Sequence, residues 1–263
     1  MELPVNRFKR ALAEGRPQIG VWCTLPGGSV AELLAGAGFD WLLFDTEHSP
    51  SDPIAVLEQL QAAAPYGTAS VVRAAWNDTV LVKRILDVGA QSLLLPYVQN
   101  AAEAEAAVRA VRYPPRGVRG VSTVSRATRY GRVAGYLAKA EAELCLLVQA
   151  ETAEALGAIE AIAAVDGIDG IFIGPSDLAA SMGHPGQPGH PAVMAAVEEA
   201  IVRIVRAGRP AGILTLDRAF AWRCLELGAS FVAVDVDAAL LARGMDELAR
   251  EFGARGGGGG GAG

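Results

Sequence analysis

Polar side chains that could bind a metal or transfer a proton lie directly after several short apolar runs of this 263-residue chain. They are mostly carboxylates, and the set comprises Asp45, Glu47, His48, Arg73, Gln149, Glu151, Ser176 and Asp177. If these groups met at one site, four acids would face one arginine, and a bound divalent cation or a proton would relieve the repulsion. Oxygen ligands without cysteine favour Mg²⁺ or Mn²⁺, with Co²⁺ as a further option. The other interpretation is that they are solvated strand ends that pair with nearby lysines and arginines.

The elements that would bring these side chains together are eight short runs rich in Val, Ile, Leu and Phe. They occupy residues 18–24, 41–45, 69–73, 92–96, 144–149, 170–174, 211–215 and 231–235. Segments with helical spacing separate them, and most of the runs are continuously apolar, as parallel strands covered on both faces are. Glycines at the helix-to-strand joints, such as Gly38, Gly89 and Gly228, are typical of repeated β-α units.

The pattern predicts an α/β protein built as a single-domain (β/α)8 TIM barrel over residues 1–255. In such a barrel all strands deliver their carboxyl ends to one face, so the polar residues above are expected to ring one mouth. Alternation along the chain places Asp45 and Glu47 on one side, and likewise Gln149 and Glu151. Residues 256–263, almost all glycine, are expected to form a flexible tail.

Two segments rich in proline and glycine interrupt the helical pattern. Residues 112–120 follow the fourth strand and its helix, and their prolines forbid a continuing helix, so we expect an ordered loop over the mouth. Residues 182–191 are expected on the mouth side as well. They contain His184 and His190, whose spacing fits no helix or zinc-ligand pattern and which we interpret as loop residues.

Charge and cysteine content exclude several classes of partner. The chain carries 23 basic and 29 acidic residues, a net charge of −6, without basic runs, so no nucleic-acid partner is expected. The three cysteines Cys23, Cys145 and Cys224 are widely spaced, which favours a reducing compartment over a disulfide framework. The sequence shows neither a signal segment nor a run of 18 apolar residues, so we expect a cytoplasmic location and no membrane contact.

Five segments that follow one another along the chain carry a family resemblance. They are FDWLLFDTEH (39–48), VVR (71–73), RYPPRGVRG (112–120), VQAET (148–152) and DGIFIGPSDL (169–178). Together they resemble the HpcH/HpaI aldolase family, and the resemblance spans residues 18–252. It implies a carbon–carbon lyase, namely a divalent-metal-dependent class II pyruvate aldolase that reversibly cleaves 4-hydroxy-2-oxo acids into pyruvate and an aldehyde.

The resemblance also implies roles for individual residues. Glu151 and Asp177 match the two metal-ligating carboxylates of the family. Arg73 matches the arginine that donates to the pyruvyl oxygen, and His48 matches the base that takes the proton of the C4 hydroxyl. Asp87, at the end of a predicted helix over residues 79–88, matches the carboxylate that orients this histidine.

The remaining predicted site residues surround this group. Three polar side chains match positions that hold metal-bound water, namely Asp45, Glu47 and Gln149. A turn after the sixth strand is expected to bind the substrate carboxylate through backbone N–H groups, and it contains Gly174, Pro175 and Ser176. Two apolar residues either line the aldehyde pocket or pack the barrel rim, namely Trp22 and Leu214.

Three positions depart from the family pattern. Thr46 replaces a glycine, so the turn that carries Glu47 and His48 is expected to be restricted by a β-branched side chain. Ala150 replaces a larger aliphatic residue and would leave room in the core. Asp235 replaces a glycine at the end of the eighth strand and would add an acid near the mouth.

Two further expectations concern assembly and alternative functions. The resemblance implies a homo-oligomer, a hexamer, in which a C-terminal helix over residues 238–252 packs on a neighbour. A related lyase, such as an oxaloacetate decarboxylase, and a metabolite-binding barrel without turnover are the alternatives to the aldolase.

Overall fold

Eight parallel strands form a closed barrel in the computed structural model, which describes residues 1–256 and the side chains of residues 1–253. Each strand pairs with the next one in sequence, and the last pairs with the first. This confirms the predicted (β/α)8 barrel, and every predicted strand agrees with the structure to within one residue at each end. The strands are β1 (Gln18–Cys23), β2 (Trp41–Asp45), β3 (Ala69–Arg73), β4 (Ser92–Leu95), β5 (Cys145–Ala150), β6 (Gly170–Ile173), β7 (Ala211–Leu214) and β8 (Phe231–Val236).

Helices surround the barrel and return the chain to its amino-terminal end after each strand. Aspartates begin several of them at the mouth: Asp52, Asp78 and Asp217 each accept two backbone N–H groups of the first turn. The helices are α1 (Arg7–Ala13), α2 (Gly28–Ala35), α3 (Pro53–Ala63), α4 (Thr79–Asp87), α5 (Ala101–Val111), α6 (Tyr136–Lys139), α7 (Ala153–Gly157), α8 (Ile159–Ala163), α9 (Pro175–Ser181), α10 (Pro191–Arg206), α11 (Arg218–Glu226) and α12 (Asp237–Gly256).

Aromatic rings fill the interior of the barrel. Trp41 and Phe231 pack edge to face at a centroid distance of 6.2 Å, and Phe8 of α1 packs against both from the amino-terminal end. Glycines on neighbouring strands make room for these rings. A Cβ atom would lie 2.4 Å from the Trp41 ring at Gly20 and 2.1 Å from the Phe231 ring at Gly212. Large and small residues therefore face one another across the barrel, so that the rings fit between neighbouring strands.

The segment between α5 and β5 lies at the amino-terminal end of the barrel, so the predicted loop over the mouth is wrong. Both α5 and β5 meet this segment at the amino-terminal end, because α5 has already returned from the mouth. Two contacts with the end of α4 agree with this placement. The Ala127 N–H donates to the Asp87 carbonyl at 3.2 Å, and Arg126 Nη1 donates to the Val88 carbonyl at 2.7 Å.

The remaining predictions about segments have different outcomes. The imidazole rings of His184 and His190, in the segment before α10, stack with their centroids 3.6 Å apart. The predicted flexible tail over residues 256–263 lies outside the described residues except for Gly256, the last residue of α12. Among the described residues, no helix combines the length and hydropathy that crossing a bilayer requires.

Candidate active site

A buried arginine at the end of β3 organises one side of the mouth. Arg73 Nε and Nη2 donate to the two carboxylate oxygens of Asp45, each at 2.7 Å, and Nη1 lies 2.8 Å from Glu47 Oε2. The guanidinium also lies over the ring of Trp22, 4.8 Å from its centroid. Because β2 and β3 pair with Asp45 opposite Arg73, the parallel register itself places the two charges together. The bidentate contact fixes the orientation of the arginine.

The buried carboxylate of Asp45 remains a stable anion in this setting. Burial alone would raise its pKa, but the hydrogen bonds and charge of Arg73 outweigh this effect and lower the pKa below its usual value. The N–H of Glu47 and the indole N–H of Trp22 donate to the same carboxylate, at 3.0 and 3.3 Å. Asp45 therefore acts as the fixed counter-ion of Arg73.

The turn after β2 carries Glu47 inward and His48 outward. The His48 side chain is 66% exposed, and its Nε2 lies 3.9 Å from Glu47 Oε1. Thr46 anchors the turn, because both its N–H and its hydroxyl donate to the carbonyl of Arg73, at 3.1 and 2.6 Å. The β-branched side chain at the position of the family's glycine thus adds a hydrogen bond and does not adopt a left-handed backbone conformation.

Glu151 lies at the end of β5 in a close-packed polar cradle. Its Oε1 accepts the N–H of Tyr97 at 2.8 Å, and its Oε2 accepts Gln149 Nε2. A Cβ atom at Gly174 would lie 2.5 Å from Glu151 Oε2 and 2.8 Å from Gln149 Nε2, so only glycine fits there. The strand alternation that predicted Gln149 and Glu151 on one side is therefore observed.

Carboxylates crowd this cradle and oppose the ionisation of one another. Burial is the largest cause that raises the pKa of Glu151 to about 7, and the charge of Asp177 is the next. Glu47 has a raised pKa for the same leading reason, burial, with contributions from Asp45 and Asp177, although Arg73 and His48 oppose the shift. The charges of Asp45, Glu47, Glu151 and Asp177 thus act on one another, and Arg73 contacts two of these acids, Asp45 and Glu47.

The donor set fits a hard divalent cation. Glu151 and Asp177 supply carboxylate oxygens, and their mutual repulsion is the energy that a cation would relieve. Gln149 Oε1 is buried and, within residues 1–253, has no hydrogen-bond partner, so it is available to a metal-bound water. Within the described part of the chain, no group of three or more His, Cys, Asp or Glu side chains is arranged to hold a metal ion.

The structure does not bring Asp87 to His48 within one chain. Asp87 is the last residue of α4 and lies at the amino-terminal end of the barrel, whereas His48 follows β2 at the mouth. Its carboxylate lies 3.6 Å from Nη2 of Arg119, a fully buried residue that also stacks on Tyr113. The predicted orienting contact is therefore wrong for residues of the same chain.

Asp235 also differs from its prediction. Gly20 pairs with Ala233 and Trp22 pairs with Val236, so β8 contains one extra residue at a bulge. Val236 packs against the barrel interior, and Arg243 of α12 binds the Asp235 carboxylate at 2.5 Å. The charge of Asp235 is thus paired with that of Arg243, so Asp235 adds no unpaired charge to the acidic group.

The predicted turn after β6 offers fewer donors than expected. Gly174 already donates its N–H to the carbonyl of Ala150 at 3.4 Å, and Pro175 has none, which leaves the amides of Ser176 and Asp177 in this turn. Ser176 and Asp177 are both exposed at the start of α9. Ala150 itself is fully buried, which agrees with its expected place in the core.

The two apolar candidates lie at different depths. Trp22 is 3% exposed and packs beneath Arg73, so it supports the arginine. Leu214 is half-buried against the barrel interior at the end of β7.

Sequence reasoning missed Tyr97 and Trp76. Tyr97 follows β4 by two residues and donates its backbone N–H to Glu151, and Trp76 stacks on its ring. The rule that polar groups after strand ends meet at the mouth applied to this segment, but an aromatic side chain gave no polar signal.

A barrel that collects buried acids and an arginine at the carboxyl ends of its strands has the architecture of a (β/α)8 enzyme. The HpcH/HpaI aldolase/citrate lyase family model matches residues 18–244, and the chain belongs to this family. A pyruvate aldolase of Rhizobium etli is 66% identical over 252 residues, which cover 96% of this chain and 99% of that protein. A 4-hydroxy-2-oxo-heptane-1,7-dioate aldolase of Shigella sonnei is 57% identical over 251 residues, which cover 95% of this chain and 96% of that protein.

Solved structures agree with this assignment. The crystal structure of an HpcH/HpaI aldolase/citrate lyase family protein from Burkholderia cenocepacia has a TM-score of 0.91 at 38% identity, and the match covers 94% of this chain and 99% of that one. The chain is therefore an aldolase, a carbon–carbon lyase.

Proposed function

We propose that the chain is a divalent-metal-dependent class II pyruvate aldolase that reversibly cleaves 4-hydroxy-2-oxo acids into pyruvate and an aldehyde. The observation that carries the proposal is that an arginine of fixed orientation lies near carboxylates that repel one another. Arg73 is held by Asp45, and the carboxylates of Glu151 and Asp177 oppose each other beside it. The family membership supplies the reaction class.

Glu151 and Asp177 would hold the cation, and Gln149 and Glu47 would contact its water molecules. When bound, Mg²⁺, Mn²⁺ or Co²⁺ would supply Lewis acidity at the C2 carbonyl of the substrate. The amides of Ser176 and Asp177 would donate to the substrate carboxylate.

His48 and Arg73 carry the proton and the charge. His48 takes the proton of the C4 hydroxyl, and the C3–C4 bond breaks as the aldehyde leaves. The electron pair of the broken bond forms a C2–C3 double bond, and the negative charge moves to the C2 oxygen. Arg73 has five N–H groups, and those on Nε and Nη2 that bind Asp45 account for two of them, so the others would stabilise the negative oxygen. A proton delivered to C3 then completes pyruvate.

The test is release of pyruvate, followed with lactate dehydrogenase and NADH, from a panel of 4-hydroxy-2-oxo acids. We expect turnover with Mg²⁺, Mn²⁺ or Co²⁺ and loss of turnover in EDTA. Metal-loaded protein that yields no pyruvate from any member of the panel would refute the proposal. Turnover of oxaloacetate alone would identify a decarboxylase, and pyruvate binding without turnover would identify a binding barrel.

We also propose a cytoplasmic homo-oligomer, a hexamer. Its support is the apolar surface of α12, where Leu240, Leu241, Met245 and Leu248 are 41 to 57% exposed. The three free, buried cysteines support the reducing compartment. Light scattering behind size exclusion tests the assembly, and a 27 kDa particle would refute it.

A further inference from the structure

Two exposed aromatic residues stand beside the acidic cradle. Trp76 follows β3 and Tyr97 follows β4, and their rings stack with centroids 5.5 Å apart and an interplanar angle of 27°. Trp76 is 51% exposed and Tyr97 is 38% exposed, so the pair lies on the surface. Neither residue takes part in the mechanism above.

The backbone of Tyr97 has an unusual conformation with a direct consequence for Glu151. Its φ angle is 57°, in the left-handed region that a residue with a Cβ atom rarely adopts. This conformation directs the Tyr97 N–H at Glu151 Oε1, at 2.8 Å, and the next N–H, of Val98, at the carbonyl of Gln149, at 3.0 Å. The hydrogen bond to Glu151 thus depends on a conformation that is costly for tyrosine.

The loop that carries Trp76 is itself anchored. Asn77 Nδ2 donates to the carbonyl of Glu103 on α5 at 3.1 Å, and the Glu103 carboxylate accepts the N–H of Gln99 at 2.9 Å. The loops after β3 and β4 are therefore both connected to Glu103. Trp76 therefore packs against the ring of Tyr97 from an anchored loop.

We infer that Trp76 is a positioning residue that holds Tyr97 in its left-handed conformation and so keeps the Tyr97 N–H on the carboxylate of Glu151. The inference rests on the proposed function, which assigns Glu151 as a ligand of the metal. Loss of the stack would release the carboxylate from one of its two orienting donors, Tyr97 and Gln149. Metal binding would then weaken because an unoriented ligand must be ordered again.

The experiment measures Mn²⁺ affinity by titration calorimetry of the full chain at pH 8. We expect Trp76→Ala to raise Kd about 3- to 10-fold, the range of one aromatic pair. Trp76→Phe preserves a ring and should stay within about twofold of wild type. Trp222→Ala, which removes an indole that is 68% exposed on α11, is the matched control and should change nothing.

Substitutions of Tyr97 separate the backbone conformation from the ring. Tyr97→Ala loses the stack and still bears a Cβ atom, whereas Tyr97→Gly adopts the left-handed conformation freely. We expect Tyr97→Ala to bind Mn²⁺ about fivefold more weakly than Tyr97→Gly. Equal affinities for wild type, Trp76→Ala and Tyr97→Ala would overturn the inference. So would a change confined to the KM of the aldehyde, which would indicate a pocket wall.

A second readout does not need metal. Amide hydrogen exchange at Tyr97 in the metal-free protein should be slow in wild type and at least about tenfold faster in Trp76→Ala, because the N–H loses its buried acceptor. Unchanged exchange would overturn the inference. A wild-type protein that binds no Mn²⁺ would refute the proposed metal dependence, while the exchange rates would still decide the role of Trp76.

Discussion

Replacing Glu151 with glutamine should change how the stability of the metal-free protein depends on pH. The pKa of Glu151 is raised by burial and by Asp177, from 4.5 to about 7, so the folded state holds a proton that the unfolded state has lost between these values. Stability therefore falls as pH rises through this window, because the folded state binds more protons there. A pKa raised from 4.5 to about 7 corresponds to about 3 kcal/mol of stability, most of which is lost between pH 5 and pH 8.

Urea unfolding in EDTA at pH 5 and pH 8 measures this effect. Relative to wild type, Glu151→Gln should gain roughly 2 to 3 kcal/mol in the free energy of unfolding between pH 5 and pH 8, since glutamine carries no charge to desolvate. Saturating Mn²⁺ should remove the wild-type penalty at pH 8 and leave the variant unchanged. Glu105→Gln, at an exposed position of α5, controls for the loss of one negative charge. A difference between Glu151→Gln and wild type that is the same at both pH values would refute the reasoning.

Three further substitutions test the site. Gly174→Ala places a Cβ atom 2.5 Å from Glu151 Oε2, so Mn²⁺ affinity should fall at least about tenfold in calorimetry, and wild-type affinity would contradict the cradle. Arg73→Lys keeps the charge but loses the bidentate contact with Asp45, so kcat/KM for pyruvate release should fall about 10²- to 10³-fold, and a change under threefold would argue against the assigned role. His48→Ala should lower kcat about 10²- to 10⁴-fold with pyruvate binding retained, and unchanged kcat would exclude it as the base.

The barrel itself was predictable because it follows from local patterns. Continuous apolar runs such as Trp41–Asp45 and Ala69–Arg73 identify buried parallel strands, and the structure bounds both identically. Chain direction in a parallel barrel then determines that whatever follows each run lies at one face. The meeting of Asp45, Arg73 and Glu151 at the mouth required no further information.

Other features of the site depend on which elements approach one another. The segment between α5 and β5 was predicted over the mouth from its prolines, yet the return of α5 carries it to the other end of the barrel. Asp87 was assigned to His48 by resemblance, but the same segment supplies Arg119 as its partner. Sequence patterns describe the conformation of a loop better than the face on which it packs.

The sequence by itself determined the eight strands, their order and the residues at their carboxyl ends, because strand periodicity and connection length are local properties. Only the tertiary structure decided the protonation and orientation of Glu151. Its pKa depends on burial and on the charge of Asp177, and its orientation depends on the left-handed backbone of Tyr97, which follows a different strand. Both properties depend on distances between chain segments far apart in sequence. Electrostatic energies vary with such distances, which composition and residue spacing do not determine.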